Sequence, residues 1–346
     1  MDLLIVEPLD PEVVQWLEVR FRVQYEPDLA REPLALRRLL HGARAIISPP
    51  GVALDEPVLN AAPRLRAIGR LSAGAENIDL EACARAGVEV VRSPKSSAAA
   101  EAEFTIGALL QLLRRVPVEN AEGLMVGREL GGATVGLVGM TPAARPLSQL
   151  LTAFGATVCG YDPALAPADP LWSGWGVRRL SLNEVFEQCD AVCVLLGYAS
   201  RYRRLIGERY LAYGKMNQVI VSLTTSSVFD EASLAHALGS ARIAAAWFDS
   251  LEPGALDRGR PLAEVANLQV TPRVAGTTRE SRLRSAWAVA RRIDEILSAP
   301  VGGTRSRDAL AALRAGGVEP VPAAPPDFRS TAPDDVVDLA DDPDPG

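Results

Sequence analysis

The sequence predicts an α/β protein built as two doubly wound parallel-sheet domains. Its 346 residues exceed one ordinary core and suit two, and a 48% hydrophobic content is enough to fill both. Short apolar runs alternate with helical stretches of ten residues or so, the pattern of a parallel sheet whose crossovers are helices. That alternation starts again after a long helical stretch near residue 98, so a second unit occupies the middle of the chain.

The first unit opens on the apolar run Leu3 to Val6, followed by helical spacing over 11–19 and a strand-like Phe21 to Tyr25. Pro33 opens a helix that runs to Leu40 and stops at Gly42. Ala45 to Ile47 and Leu65 to Ile68 read as buried strands. Residues 79–86 form a helix stopped by Gly87, and Val88 to Val91 return as strand. A long helix is predicted from Ala98 to Arg115, ended by Pro117. In the second unit strands are predicted at 134–139, 158–161, 191–196, 219–223, 243–248 and 268–270, with helices between most of them. Residues 280–298 make a last amphipathic helix. Beyond Val301 the order fades into a Pro-, Ala- and Asp-rich stretch ending DDVVDLADDPDPG, which reads as a disordered, solvated acidic tail.

Composition excludes several function classes. A net charge of -7 argues against nucleic acid or an anionic membrane as partner, since both reward clustered positive charge. Of the 36 basic residues only Lys95 and Lys215 are lysines, a skew that fits a G+C-rich genome better than an arginine-specific function. No apolar stretch approaches a membrane span, and the start, MDLLIVEPLD, reads as a first strand rather than a signal peptide. Cys83, Cys159, Cys189 and Cys193 are scattered without a ligand spacing, so no metal site is expected. They are expected to be free, buried thiols in a reducing cytoplasm.

The segment from Thr134 to Asp162 carries the most chemistry. An apolar strand runs into a turn at Gly139, a helix follows, and a second strand ends in Asp162, 23 residues after that glycine. A carboxylate so placed suits the adenosine ribose of a dinucleotide, and NAD over NADP, while the helix N-terminus faces the pyrophosphate. The glycine fingerprint is only partly present, because the loop reads Gly139-Met140-Thr141-Pro142-Ala143-Ala144. Thr141 stands where a residue without a side chain normally lets the backbone approach the pyrophosphate. Thr141 and Pro142 together read as an N-cap and first helical position, and Pro146 as the source of a small kink.

These blocks resemble the D-isomer specific 2-hydroxyacid dehydrogenases, the family that includes phosphoglycerate and formate dehydrogenases. Residues 69–79 (GRLSAGAENID) resemble its substrate-carboxylate loop, and 127–163 its nucleotide unit. Pro94 with Glu103-Phe104-Thr105-Ile106 resembles the lead-in to its interdomain helix. Residues 221–234, 245–252 and 267–276 resemble three later signature blocks. The resemblance implies a Rossmann-type nucleotide domain, 99–275, inserted into a flavodoxin-like substrate domain made of 1–98 plus 276–300, with 301–346 as the tail. It implies NAD contacts at Gly139, Thr141, Pro142, Asp162 and Asp249, substrate contacts at Ser72, Ala73, Gly74 and Arg273, and a homodimer formed through the helix at 98–115 and its neighbours.

The family clamps its substrate with an arginine and moves the hydroxyl proton with a histidine tuned by a glutamate, which suits proton transfer near neutral pH. Here the arginine position falls on Thr225 and the histidine position on Arg273. The glutamate position falls on Gly254 when counted without gaps, or on Glu252 if the loop is rearranged. An arginine guanidinium keeps its proton at any working pH, so it can grip a small carboxylate or phosphate but cannot shuttle a proton. The chain has two histidines, His41 and His236, and neither is expected in the cleft. The expectation is a divergent, cytoplasmic NAD-binding member, degenerate or repurposed, in which NAD binding is weak or lost and the usual hydride transfer fails. The alternatives are a non-catalytic dimeric scaffold or sensor, and an oxidoreductase acting on an unusual 2-hydroxy acid.

Overall fold

A computed structural model describes residues 1–299 apart from Ala73, Ala75, Glu76, Tyr198 and Ala199; the tail expected at 301–346 lies outside the described residues. The strands β1 (Leu3–Ile5), β2 (Val23–Tyr25), β3 (Ala45–Ile47), β4 (Ala67–Arg70) and β5 (Glu89–Arg92) form one parallel sheet in the order β2-β1-β3-β4-β5. This is the flavodoxin-like order. Side chains alternate between faces with period two. Leu4, Ile46 and Ile68 pack against α2 (Pro33–Leu40), α3 (Glu56–Asn60) and α4 (Leu80–Ala86). Leu3, Ile5, Ile47 and Val91 pack against α1 (Pro11–Glu18) and α11 (Arg279–Ser298). Burial on both faces is why these strands read as continuous apolar runs.

Local signals set the helix ends. Asp79 caps α4 by accepting from the Ala82 N–H at 2.8 Å, and Gly87 ends it in the left-handed region at φ 68°. Thr278 and Ser281 form a reciprocal box at the start of α11. Its carboxyl end is met by two arginines: Arg44 donates to the Leu297 carbonyl at 2.6 Å, and Arg66 to those of Leu297 and Ala299. These donors satisfy carbonyls that have no partner within the helix and sit at its negative pole.

A second parallel sheet contains β8 (Thr134–Val138), β9 (Thr157–Tyr161), β10 (Arg178–Arg179), β11 (Ala191–Val194), β12 (Gln218–Ser222), β13 (Ile243–Phe248) and β14 (Leu268–Val270). Its order is β10-β9-β8-β11-β12-β13-β14. The chain winds outward from β8 to one edge, then crosses back and continues from β11, so the order reverses between β8 and β11. α5 (Ala98–Arg115), α6 (Ala144–Ala153) and α7 (Leu171–Gly174) cover one face, and α8 (Leu182–Gln188), α9 (Glu208–Leu211) and α10 (Glu231–Gly239) the other. A two-stranded antiparallel ribbon, β6 (Val118–Glu119) with β7 (Met125–Val126), follows α5.

Two expectations about α6 are corrected. Thr141 is not its N-cap and Pro142 not its first residue. Thr141 to Ala144 form a turn closed by the Ala144 N–H on the Thr141 carbonyl at 2.9 Å, and the helix begins at Ala144 with no side-chain cap. Pro146 is then the third helical residue, where the N–H has no intrahelical acceptor in any case, so it removes no helical hydrogen bond.

A close helix–sheet contact lies at Gly69 on β4. A Cβ there would lie 2.6 Å from Val289 Cγ1, 2.9 Å from Ile293 Cδ1 and 3.0 Å from Ile47 Cγ1. β-Branched neighbours in a packed core give little ground. Gly69→Ala is expected to destabilise the protein by about 1–3 kcal/mol through overpacking, read as a lowered urea midpoint with unchanged m-value.

Candidate active site

Ligands of open parallel sheets bind beyond the carboxyl ends of the strands, at the point where strand order reverses. Here that point lies between β8 and β11, and the two following loops touch. Gly139 turns at φ 104°, and a Cβ on it would lie 2.7 Å from the Leu196 nitrogen and 2.9 Å from its Cα. Only glycine fits that turn. One strand over, Asp162 follows β9. Its carboxylate accepts from the Met140 N–H and the Ala164 N–H, both at 2.7 Å. The acid at the predicted ribose position therefore also ties down the glycine loop. Two of its roughly four acceptor sites are used, which leaves capacity for a diol.

The phosphate-facing side is poorer in donors. Pro142 and Pro146 carry no N–H, and the Ala144 and Leu147 amides are spent on Thr141 and Ala143 carbonyls. The Thr141 side chain projects from the position that is normally bare.

The loops beyond β12, β13 and β14 carry the positions of the expected catalytic residues. Thr225 is buried and donates through Oγ1 to Glu252 Oε1 at 3.2 Å. The Glu252 N–H donates to Ser226 Oγ at 2.9 Å, and its other oxygen lies 3.8 Å from Arg203 Nη1. Of the two glutamate alternatives, Glu252 is thus the one brought to Thr225. Gly254 is a turn residue at φ 75°. Arg273 lies on an exposed loop with a left-handed backbone, φ 57°, and its Nε donates to Ser250 Oγ at 2.9 Å.

Asp249 organises that loop. Its carboxylate accepts from Thr271 Oγ1 at 2.6 Å and from the Val274 and Ala275 amides at 2.9 Å each. Besides its expected nicotinamide contact, then, Asp249 serves the architecture by fixing the backbone on either side of Arg273.

The 72–76 loop is described only at Ser72 and Gly74; Ala73 lies outside the described residues. The Ser72 Oγ is buried without a partner, as are Ser48 Oγ and Glu7 Oε2 at the ends of β3 and β1. Gly74 offers its carbonyl to Arg70 Nε at 3.4 Å. Arg70, fully buried at the end of β4, also donates to the Ser48 carbonyl at 3.1 Å and to Asn77 Oδ1. Burial pushes the Glu7 carboxyl above its ordinary range, opposed by Arg282 and Arg70.

Both histidines are exposed, as expected. His41 Nδ1 contacts the Ala61 carbonyl at 3.1 Å, and His236 lies on α10. Sequence reasoning missed Glu101 on α5. Its Oε1 accepts from Ser97 Oγ at 2.7 Å, and that oxygen lies 3.0 Å from where a Gly276 Cβ would stand. Burial raises its carboxyl, the Ser97 hydrogen bond opposes that, and the Asp249 charge adds to the rise. Glu101 is thus a titratable group beside the loop that carries Arg273. Its position inside an apolar helical stretch gave no signal, because the loop it meets is some 170 residues away.

Comparison with known proteins accords with this geometry. Residues 107–275 match the family model described as the NAD binding domain of D-isomer specific 2-hydroxyacid dehydrogenases. Over 297 residues the chain is 31% identical to D-3-phosphoglycerate dehydrogenase of Mycobacterium bovis, covering 83% of this chain but only 55% of that protein. Over 295 residues it is 30% identical to (S)-sulfolactate dehydrogenase of Chromohalobacter salexigens, covering 83% of this chain and 95% of that one. Among solved structures it resembles the TT0316 protein of Thermus thermophilus with a TM-score of 0.71 and 25% identity, over 86% of this chain and 97% of that one. A cofactor (NAD+)-bound 3-phosphoglycerate dehydrogenase from Entamoeba histolytica shares the fold at a TM-score of 0.68 and 19% identity, over 88% of this chain and 96% of that one. The chain belongs to the D-isomer specific 2-hydroxyacid dehydrogenase family.

Proposed function

We propose that this protein is a divergent, NAD-binding member of its family in which the imidazole-based transfer between 2-hydroxy and 2-keto acids has been lost. The observation that carries the reading is the pairing of Thr225 with Glu252, where the family's chemistry calls for an arginine and an acid that tunes a histidine. Gly139, Thr141, Pro142 and Asp162 would hold the dinucleotide and Asp249 its carboxamide end, with fewer main-chain donors on the pyrophosphate. Such a cofactor exchanges a hydride with the substrate carbon. Arg273 and the 72–76 loop would grip a small carboxylate or phosphate, and the relatives named for phosphoglycerate and sulfolactate suit a small acid of that kind. We place the protein in the cytoplasm as a homodimer of two-domain chains, divided as 1–98 plus 276–300 and 99–275. The apolar residues Leu110, Leu124, Met125 and Val126 are exposed on α5 and the ribbon, where a second copy would cover them. Among the described residues no helix is long and apolar enough to cross a membrane.

NADH titration followed by nucleotide fluorescence should show saturable binding that Asp162→Ala weakens. Reduction of simple 2-keto acids should run about 10²–10⁴ times slower than catalysis with an intact general acid. A turnover normal for the family would overturn the reading.

A second reading, slow chemistry on an unusual 2-hydroxy acid, is favoured by Glu101, whose raised carboxyl could carry the proton. A carboxyl raised in the folded state contributes stability that is fully present below its unfolded value and is lost as pH rises through its folded value. Relative to Glu101→Gln, the wild type should therefore lose stability as pH rises above the ordinary glutamate range of about 4.3. Denaturant midpoints measured across mildly acidic pH check this. If residual keto-acid reduction falls through the same window and Glu101→Gln abolishes it, the second reading holds; if the variant leaves it unchanged, that reading fails.

A further inference from the structure

Gly136 on β8, Cys159 on β9 and Arg178 on β10 are neighbours across three adjacent strands, Gly136 pairing with Cys159 and Cys159 with Arg178. Paired residues of adjacent strands project from the same face of the sheet. Gly136 has no side chain, and the space it leaves is filled from above: a Cβ there would lie 2.9 Å from the sulfur of Cys189, at the end of α8. Cys159 and Cys189 thus belong to one buried cluster, Cys189 sulfur lying over the strand position that pairs with Cys159. From the other side Arg178 Nη2 donates to Cys159 Sγ at 3.2 Å. Cys83 and Cys193 are also buried, but neither has such a partner among the described hydrogen bonds.

We propose that Cys159 and Cys189 are a redox-active dithiol, which hydrogen peroxide or another hydroperoxide converts to an intramolecular disulfide, with Cys159 as the attacking sulfur and Arg178 as its counter-ion. A thiolate attacks peroxide; a thiol does not. The adjoining Cys189 thiol and the guanidinium of Arg178 bring the Cys159 thiol down to about 6, against the opposing effect of burial. The Cys189 thiol moves the other way, so its proton stays on sulfur. Burial alone raises Cys193, and burial with the Asp79 charge pushes Cys83 up to about 11. The pair is therefore set apart from the other two cysteines. Arg178 belongs to an edge strand and is itself exposed, so movement of one side chain admits a small oxidant.

The reaction balances. Cys159 sulfur attacks one peroxide oxygen; an S–O bond forms, the O–O bond breaks, and the departing hydroxide takes the Cys189 thiol proton to leave as water. The resulting Cys189 thiolate attacks the sulfenic sulfur; the S–S bond forms, the S–O bond breaks, and the second hydroxide takes a proton from solvent. Two thiols and one peroxide give one disulfide and two waters. The product would bind β9, three residues before Asp162, to the end of α8.

The test uses the intact 346-residue chain, reduced, freed of reductant and treated with stoichiometric hydrogen peroxide, then alkylated after denaturation and mapped by peptide mass spectrometry. The expected product is a 159–189 cross-linked peptide, two mass units lighter than the free thiols and reversed by dithiothreitol, with Cys83 and Cys193 alkylated. Cys189→Ser should stop at a sulfenic acid on Cys159 that dimedone traps. Arg178→Met should slow cross-linking roughly tenfold at pH 7, because the smaller thiolate fraction is partly offset by a more nucleophilic sulfur. Absence of the 159–189 cross-link, or equal oxidation of all four cysteines, overturns the proposal. The wild-type map decides even if a serine variant fails to fold.

Discussion

A parallel sheet needs cover on both faces, and this requirement shapes the whole molecule. The first sheet obtains α2, α3 and α4 from its own crossovers, but most of its other face is closed by α11, which arrives from the far end of the described chain. To reach it the chain must return from β14 past the start of α5. That return is pinned from several sides: Ser281 Oγ donates to the Gly276 carbonyl at 2.7 Å, Arg284 to the Ser96 carbonyl at 3.0 Å, and Ser285 to the Leu71 carbonyl at 2.8 Å. The same contacts fix the segment after β14 beside the start of α5 and the end of β4.

Within the crevice, acids do more architectural work than their positions suggest. Asp162 holds the glycine loop, Asp249 holds the loop around Arg273, and Glu252 takes the Thr225 hydroxyl. Each satisfies main-chain or side-chain donors that would otherwise be buried unpaired, at a cost comparable to a lost hydrogen bond. A frame held in this way keeps the fold of the family, and under the proposed reading it tolerates Thr225 and Arg273 in the place of the reacting groups. Activity depends on a few reacting atoms, whereas the fold depends on strand packing and on these tethers.

Much of the architecture was legible along the chain. Apolar runs bounded by turns located most strands of both sheets, and α5 matches the expected limits of Ala98 and Arg115. Caps such as Asp79 and the left-handed Gly87 are local signals, complete within one turn of helix. The chemistry was only half legible. Gly139 and Asp162 are separated by one helix and keep a regular spacing, so they could be paired by counting. The glutamate could not, because a loop does not preserve count; the structure brings Glu252 to Thr225 and puts Gly254 in a turn.

By itself the sequence determined the α/β class, the presence of two doubly wound units and the turn at Gly139. These follow from periodicity and residue chemistry, which act over a few positions. Only the tertiary structure decided that Glu101 sits beside Gly276, that Glu7 and Arg282 meet although 275 residues apart, and that Cys189 fills the space left by Gly136. Such contacts depend on strand order and on which helix covers which face. No local pattern encodes them, because each partner satisfies its own segment equally well without the other.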